Sequence, residues 1–188
     1  MKNIFLSIAS LLLVSASPVL IAQGAPHSEI AMGYTFLRSN APAGQCGCFH
    51  WQGGTLSGAV GLKANWSIAG AFTGVHAGHE NDTTLAPTMV TYLVGPRYNF
   101  ANDRHRVIPF ADLMVGGAYG SAGYFVTGSS APSVAMKIGG GVTLSLSEHW
   151  ALRPIEADYL WTHFDNGKNS RQNSLQLSTA IVYRFGRR

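Results

Sequence analysis

The chain has 188 residues, a length suited to one domain. Charged residues make up only 12% of it, about half the level of an ordinary soluble domain, while glycine occupies 22 positions. Low charge, high glycine and an ordinary 46% hydrophobic fraction exclude a disordered chain and a coiled coil. The net charge of +4 is spread over scattered basic residues, so no nucleic-acid-binding patch is expected.

Residues 1–24 read as a secretory leader. Lys2 gives the positive start, Ile4 to Val14 the short apolar stretch, and small residues follow, with cleavage expected between 16 and 25. The apolar stretch is interrupted by Ser7 and Ser10 and is short for a membrane-spanning helix. The rest, 25–188, reads as one domain of period-two segments with no helical period.

The first segment is Ser28–Arg38, with Ile30, Met32, Tyr34 and Phe36 on one face and Glu29, Ala31, Gly33 and Thr35 on the other. Cys46 and Cys48 follow in GQCGCFH. An exported chain allows a small, strained disulfide between them, or two free thiols. With His50 they supply only three soft-metal ligands, so no metal site is expected there.

The second segment, His50–Leu62, sets Leu56, Val60 and Leu62 against Thr55, Ser57, Ala59 and Gly61. The third, Trp66–Gly78, sets Trp66, Ile68 and Phe72 against Ser67, Ala69, Ala71 and Thr73. The fourth, Pro87–Asn99, sets Val90, Tyr92, Val94 and Tyr98 against Thr91, Gly95 and Arg97. In the fifth, Val107–Tyr119, Leu113 and Val115 oppose Asp112, Met114 and Gly116. In the sixth, Val134–Leu146, Ile138, Val142 and Leu144 oppose Lys137, Gly139, Gly141, Thr143 and Ser145. The seventh, Trp150–His163, changes parity at Pro154, which predicts a bulge; beyond it Ile155, Tyr159 and Trp161 oppose Glu156 and Asp158. The eighth, Asn173–Phe185, sets Leu175, Leu177, Ile181, Tyr183 and Phe185 against Gln176, Ser178, Ala180 and Arg184.

Eight segments of this length predict an all-β, eight-stranded antiparallel up-and-down transmembrane β-barrel, since about 9–11 tilted residues cross a bilayer. The connections alternate long and short, as in barrels with long extracellular loops and tight periplasmic turns, which puts both termini in the periplasm. Aromatics near segment ends predict two girdles at the membrane interfaces. Trp66, Tyr98, Phe100, Trp150, Tyr183 and Phe185 would form the periplasmic one. Trp51, Tyr119, Tyr124, Tyr159, Trp161 and Phe164 would form the outer one.

Apart from Arg38 at the end of the first segment, eight charges fall inside the segments: Glu29, Asp112, Glu156 and Asp158 against Arg97, Lys137, Arg153 and Arg184. Facing lipid, a mid-bilayer Arg or Lys costs about 2–4 kcal/mol. Opposite the apolar face they balance and predict a self-neutralising interior network, with Gly95, Gly116, Gly139, Gly141, Ala69 and Ala71 leaving room for it. A soluble lipocalin-like barrel keeps an apolar cavity inside, which such charges would ruin.

The stretches YLVGPRYNF (Tyr92–Phe100), VIPFADLMVGGAYG (Val107–Gly120), IGGGVTLSLSEHWALRPIEADYLWTHF (Ile138–Phe164) and LQLSTAIVYRFG (Leu175–Gly186) carry a resemblance. The chain resembles the small outer-membrane beta-barrel domain family, the eight-stranded group with OmpA-like and OmpX-like members. The resemblance covers essentially all of 25–188. It implies residence in a bacterial outer membrane, contact with its lipid and lipopolysaccharide, and insertion by the barrel assembly machinery. Many such barrels end on an aromatic; here Phe185 is followed by Gly186, Arg187 and Arg188.

The implied role is structural or surface-interacting, through the extracellular loops and a partner the sequence does not identify. A narrow pore is the alternative. Some barrels of this size are lipid A-modifying enzymes that use His, Ser and an acid near the outer rim. The candidates here are His163 with Ser170 or Ser174 and Asp165, and His50 with Ser57. None forms an H-x-S pair on an outer strand end, so no catalytic residue, and no cofactor, is expected. His76, His79, Glu80 and Asp82 in HAGHEND lack a specific metal-ligand spacing and read as a solvated loop.

Overall fold

A computed structural model describes residues 28–40, 48–77, 88–101, 105–121, 130–164 and 171–185. They form eight strands: β1 (Ser28–Asn40), β2 (Cys48–Gly61), β3 (Trp66–Ala77), β4 (Thr88–Asn99), β5 (Val107–Ser121), β6 (Ser130–Ser145), β7 (Trp150–Thr162) and β8 (Gln172–Phe185). Each pairs antiparallel with its neighbours in sequence, and β8 returns to β1, closing a barrel in the order β1 to β8. Closure removes both sheet edges, so every strand has a hydrogen-bonding partner on each side.

The alternation in each strand sorts the two faces. Ile30, Met32, Leu56, Ile68, Phe72, Val94, Val115, Ile138 and Ile181 point out and are exposed, Met32 to 69%. Ala31, Thr35, Arg97, Asp112, Lys137, Asp158 and Arg184 point in and are buried. This is the reverse of a soluble domain, and it suits a wall surrounded by hydrocarbon.

The parity change in β7 is present. Register shifts against β8 between Arg153 and Glu156, and against β6 between Val142 and Leu144. Pro154 has no N–H to give to a ladder, so the extra residue is accommodated there. The bulge turns both Arg153 and Glu156 inward, although they are three residues apart.

β6 begins four residues earlier than its apolar alternation predicts, because Ser121↔Ser130, Gly120↔Ala131 and Tyr119↔Pro132 continue the ladder with β5. Backbone pairing there outlasts the lipid-facing pattern. One end of the barrel, called here the terminal end, carries Ser28, Phe185 and the short connections. In the turn between β2 and β3, Leu62 N–H donates to Trp66 O at 2.8 Å, and Ala64 takes a positive φ of 54°. In the turn between β6 and β7, Ser147 Oγ accepts from Trp150 N–H at 3.0 Å. The opposite, loop end carries connections 78–87, 122–129 and 163–171, each longer than any at the terminal end, and 41–47, which equals 100–106 in length. The expected leader, Cys46, the side chain of Cys48, His79, Glu80, Asp82, Tyr124, Asp165 and Ser170 lie outside the described residues.

Candidate functional site

Eight of the strand charges meet inside the barrel, while Arg38, near the loop end of β1, is exposed. Glu29 and Arg184 are opposite each other across β1 and β8, and Arg97 and Asp112 across β4 and β5. Arg97 donates from Nη1 to Glu29 Oε1 at 3.1 Å and from Nη2 to Asp112 Oδ2 at 2.9 Å. Lys137 Nζ lies 4.0 Å from Asp112 Oδ1 and donates to Glu156 Oε1 at 2.9 Å and Asp158 Oδ2 at 3.0 Å. Arg153 donates from Nη1 to Glu156 Oε2 and from Nη2 to Glu29 Oε1, both at 2.9 Å.

These contacts close a ring of alternating sign: Glu29, Arg97, Asp112, Lys137, Glu156, Arg153 and back to Glu29. Asp158 hangs from Lys137. Arg184 sits 3.9 Å from Glu29 Oε2 and donates to Ser145 Oγ at 2.8 Å. Removing a buried partner from such a ring leaves an uncompensated charge, so the ring stands or falls together.

Phe110, which the sequence reading did not single out, lies beneath this ring. The guanidinium carbons of Arg97 and Arg153 stand 4.3 and 4.7 Å from its ring centroid. Stacking on an aromatic face steadies two like charges that would otherwise repel. Its position was readable, since Phe110 shares the parity of Asp112 and Met114. Gly139 and Gly141 are needed nearby. A Cβ on Gly139 would run into Asp158 Oδ1 and the Ala157 carbonyl, and one on Gly141 would crowd the Ile155 carbonyl and the Phe110 ring. Gly95 and Gly116 instead press on the backbones of Leu113 and Tyr92.

Beside the expected polar network the interior has a second, apolar layer. Leu37, Trp51, Val75, Met89, Leu160 and Phe164 form one apolar cluster, their large side chains coming from the loop ends of their strands. Ala69 and Ala71 pack with this cluster. A hydroxyl chain also lines the wall: Ser178 Oγ to Thr35 Oγ1 at 3.0 Å, Thr35 to Thr55 at 2.6 Å, and Thr55 to Thr73 at 2.7 Å.

Two girdle assignments are therefore corrected. Trp51 is 2% exposed and Phe164 is 3% exposed, and both belong to the interior cluster. Proximity to a strand end suggested the girdle, but β2 parity puts odd-numbered residues inside. At the terminal end, Trp66–Tyr98, Tyr98–Phe100, Trp150–Tyr183 and Tyr183–Phe185 meet edge-to-face with centroids 4.9–5.2 Å apart. Toward the loop end Tyr119 and Tyr159 are exposed, and Trp161 lies 5.9 Å from His163.

Among the described residues, the enzyme candidates are not brought together. Ser174 faces inward, with its Oγ 2.7 Å from Ser39 Oγ, whereas His163 is exposed on the outer face. His50 is exposed and stacks on Phe36 at 5.4 Å, while Ser57 has the opposite parity. His76 Nδ1 lies 3.1 Å from Thr88 Oγ1. Among the described residues, one acidic cluster (Asp112, Glu156 and Asp158) has metal-like spacing, and Lys137 already occupies its centre.

No protein-family profile matches the chain, and no curated protein matches it in sequence. Solved structures do match in shape. The attachment invasion locus protein Ail of Yersinia pestis superposes with a TM-score of 0.58 at 18% identity, over 85% of this chain and 99% of that one. It has also been solved in complex with the heparin analogue sucrose octasulfate. Neisserial surface protein A gives 0.62 at 15% identity, over 84% of this chain and 97% of that one. The outer membrane protein OprG of Pseudomonas aeruginosa gives 0.54 at 11% identity, over 87% and 98%. At these identities the likeness is one of fold: the chain has the closed eight-stranded antiparallel barrel of these outer-membrane proteins.

Proposed function

We propose that this protein is an integral outer-membrane barrel whose role is structural or surface-interacting, carried out by the connections at its loop end. The observation that carries this reading is the inverted barrel itself. Every strand shows exposed apolar residues on its outer face, while Glu29, Arg97, Asp112, Lys137, Arg153, Glu156, Asp158 and Arg184 are held inside. Such a wall in water would expose an apolar band far larger than soluble monomers show.

The alternation of long and short connections supports periplasmic termini and an exposed loop end, with residues 1–24 acting as the export leader. Outer-membrane lipid and lipopolysaccharide are the immediate partners. The assembly machinery is the partner during insertion, with Phe185 near the end it would read. The ring of Glu29, Arg97, Asp112, Lys137, Glu156 and Arg153 acts as an internal brace for the wall. The connections are the part offered to an exterior partner, and the similar structures include an attachment protein and a surface protein.

The pore reading is weaker, because ring and apolar cluster fill the lumen from opposite ends. The test is fractionation of the bacterial envelope with gel electrophoresis of boiled and unboiled samples. An outer-membrane protein whose mobility changes on boiling is expected. A soluble periplasmic protein with no mobility change would overturn the reading and favour a ligand-binding barrel.

A further inference from the structure

β7 carries three of the interior charges, Arg153, Glu156 and Asp158, and its register shifts against both neighbours. Against β8, Arg153 faces Ala180 and Glu156 faces Ser178, so Pro154 and Ile155 together oppose the single residue Thr179. Against β6, Leu152 faces Leu144 and Ile155 faces Val142, so Arg153 and Pro154 together oppose Thr143. Pro154 and Ile155 are consecutive and both exposed, and this lets Arg153 and Glu156 both be buried.

A straight strand read back from Glu156 would alternate strictly. It would put Pro154 and Leu152 inside and Arg153 on the lipid face. The guanidinium would then sit in hydrocarbon, and Glu29 and Glu156 would lose it as a partner. The sequence of β7 therefore allows two registers for its terminal-end half, and the ring exists in only one of them.

Thr179 is placed to select that register. The outward row of β8 runs Leu175, Leu177, Thr179, Ile181, Tyr183 and Phe185, and Thr179 is exposed. Its hydroxyl turns back to the wall and donates to the Arg153 carbonyl at 3.2 Å, across the bulge. In hydrocarbon a hydroxyl and a displaced carbonyl each need a partner within the protein. We propose that Thr179 is a latch, a lipid-facing hydroxyl that holds β7 in its bulged register and thereby positions Arg153 in the ring. From inside, Arg153 is drawn the same way by Glu29 and Glu156. Bulge and ring lock each other, and releasing either one loosens residues 150–153. This inference deepens the bracing role proposed above for the ring and rests on it.

The test is amide hydrogen exchange, read by mass spectrometry, on the full chain folded in neutral detergent micelles. Boiling-dependent mobility checks that each variant is folded. On an apolar surface valine is at least as favourable as threonine, so side-chain transfer alone gives Thr179→Val no cost. With the latch lost, exchange of 150–153 and of the paired 180–183 is expected to rise roughly 3- to 10-fold, the worth of one hydrogen bond. Exchange in β2 and β3 should not change. Thr179→Ser keeps the hydroxyl and should restore slow exchange. Deleting Pro154 removes the extra residue and leaves Arg153 inward in a regularly alternating strand. On that background Thr179→Val should have little further effect.

Wild-type exchange in Thr179→Val overturns the latch. So does an equal rise with and without Pro154, or a Thr179→Ser variant as fast as Thr179→Val. Lys137→Met separates the latch from the ring. Faster exchange of β7 in Lys137→Met, with none in Thr179→Val, sinks the latch alone. Unchanged exchange in both sinks the bracing role of the ring and the latch with it.

Discussion

Lys137 is the side chain on which the interior charge balance turns, because three carboxylates lie within 4.0 Å of its ammonium. Lys137→Met keeps the stem and removes the charge, leaving those carboxylates to repel one another. A loss of about 3–5 kcal/mol is expected. Adding Asp158→Asn should return part of it, so a double-mutant cycle in urea, read by the mobility of unboiled samples, checks the coupling. The glycines allow a paired comparison. Gly139→Ala drives a methyl into Asp158 and the Ala157 carbonyl, and about 1–3 kcal/mol of destabilisation is expected. At Gly74 nothing lies within 4 Å of an added Cβ, so Gly74→Ala should leave the unfolding midpoint close to wild type. Ala64, with its φ of 54°, is the opposite case. Ala64→Gly relieves a left-handed conformation, and about 1 kcal/mol of added stability is expected in the same titration.

At the scale of the strand, the sequence was most legible where one face meets hydrocarbon. Strict alternation of Ile30, Met32 and Tyr34, or of Leu113 and Val115, leaves a single register possible, because a one-residue slip would put every apolar group inside. The same rule exposed the β7 bulge, since Pro154 cannot hold the ladder and the charges change parity across it. Interior contents were less legible. Inward positions tolerate Thr, Ala, Leu, Trp or Arg, so alternation names the face without naming the neighbours. Which inward residues meet depends on how far each strand is staggered against the next, and that is set by the whole closed sheet. Hence alternation groups the charges without giving their ring, does not mark out Phe110, and leaves Trp51 and Phe164 looking like girdle residues because they stand at strand ends. Two substitutions on β2 and β5 measure the difference between the faces. Trp51→Ala opens a cavity in the apolar cluster and should cost about 3–5 kcal/mol. Val115→Arg puts a cation on the lipid face and should cost about 2–4 kcal/mol near mid-membrane, falling toward either interface. Both are read as shifts in the urea midpoint of barrels folded into bilayers.

For the molecule as a whole, the two interior layers act in series. Toward the terminal end the ring of Glu29, Arg97, Asp112, Lys137, Glu156 and Arg153 crosses the lumen. Toward the loop end Trp51, Met89, Leu37, Leu160 and Phe164 pack across it. An ion crossing the barrel meets both a fixed lattice of paired charges and a water-excluding plug. Eight strands leave just enough room for side chains to fill the space, so neither layer has slack to move aside. The wild-type protein in planar bilayers is therefore expected to conduct near background. Serial barriers also predict how variants behave. Trp51→Ala with Met89→Ala thins the plug but leaves the ring, and Arg153→Ala breaks the ring but leaves the plug, so each should remain near background while folded. Only the combined variant, retaining its boiling-dependent mobility, should show discrete conductance steps. Regular steps in the wild type would mean that the side chains filling the lumen yield to ions, and the pore reading would then replace the structural one.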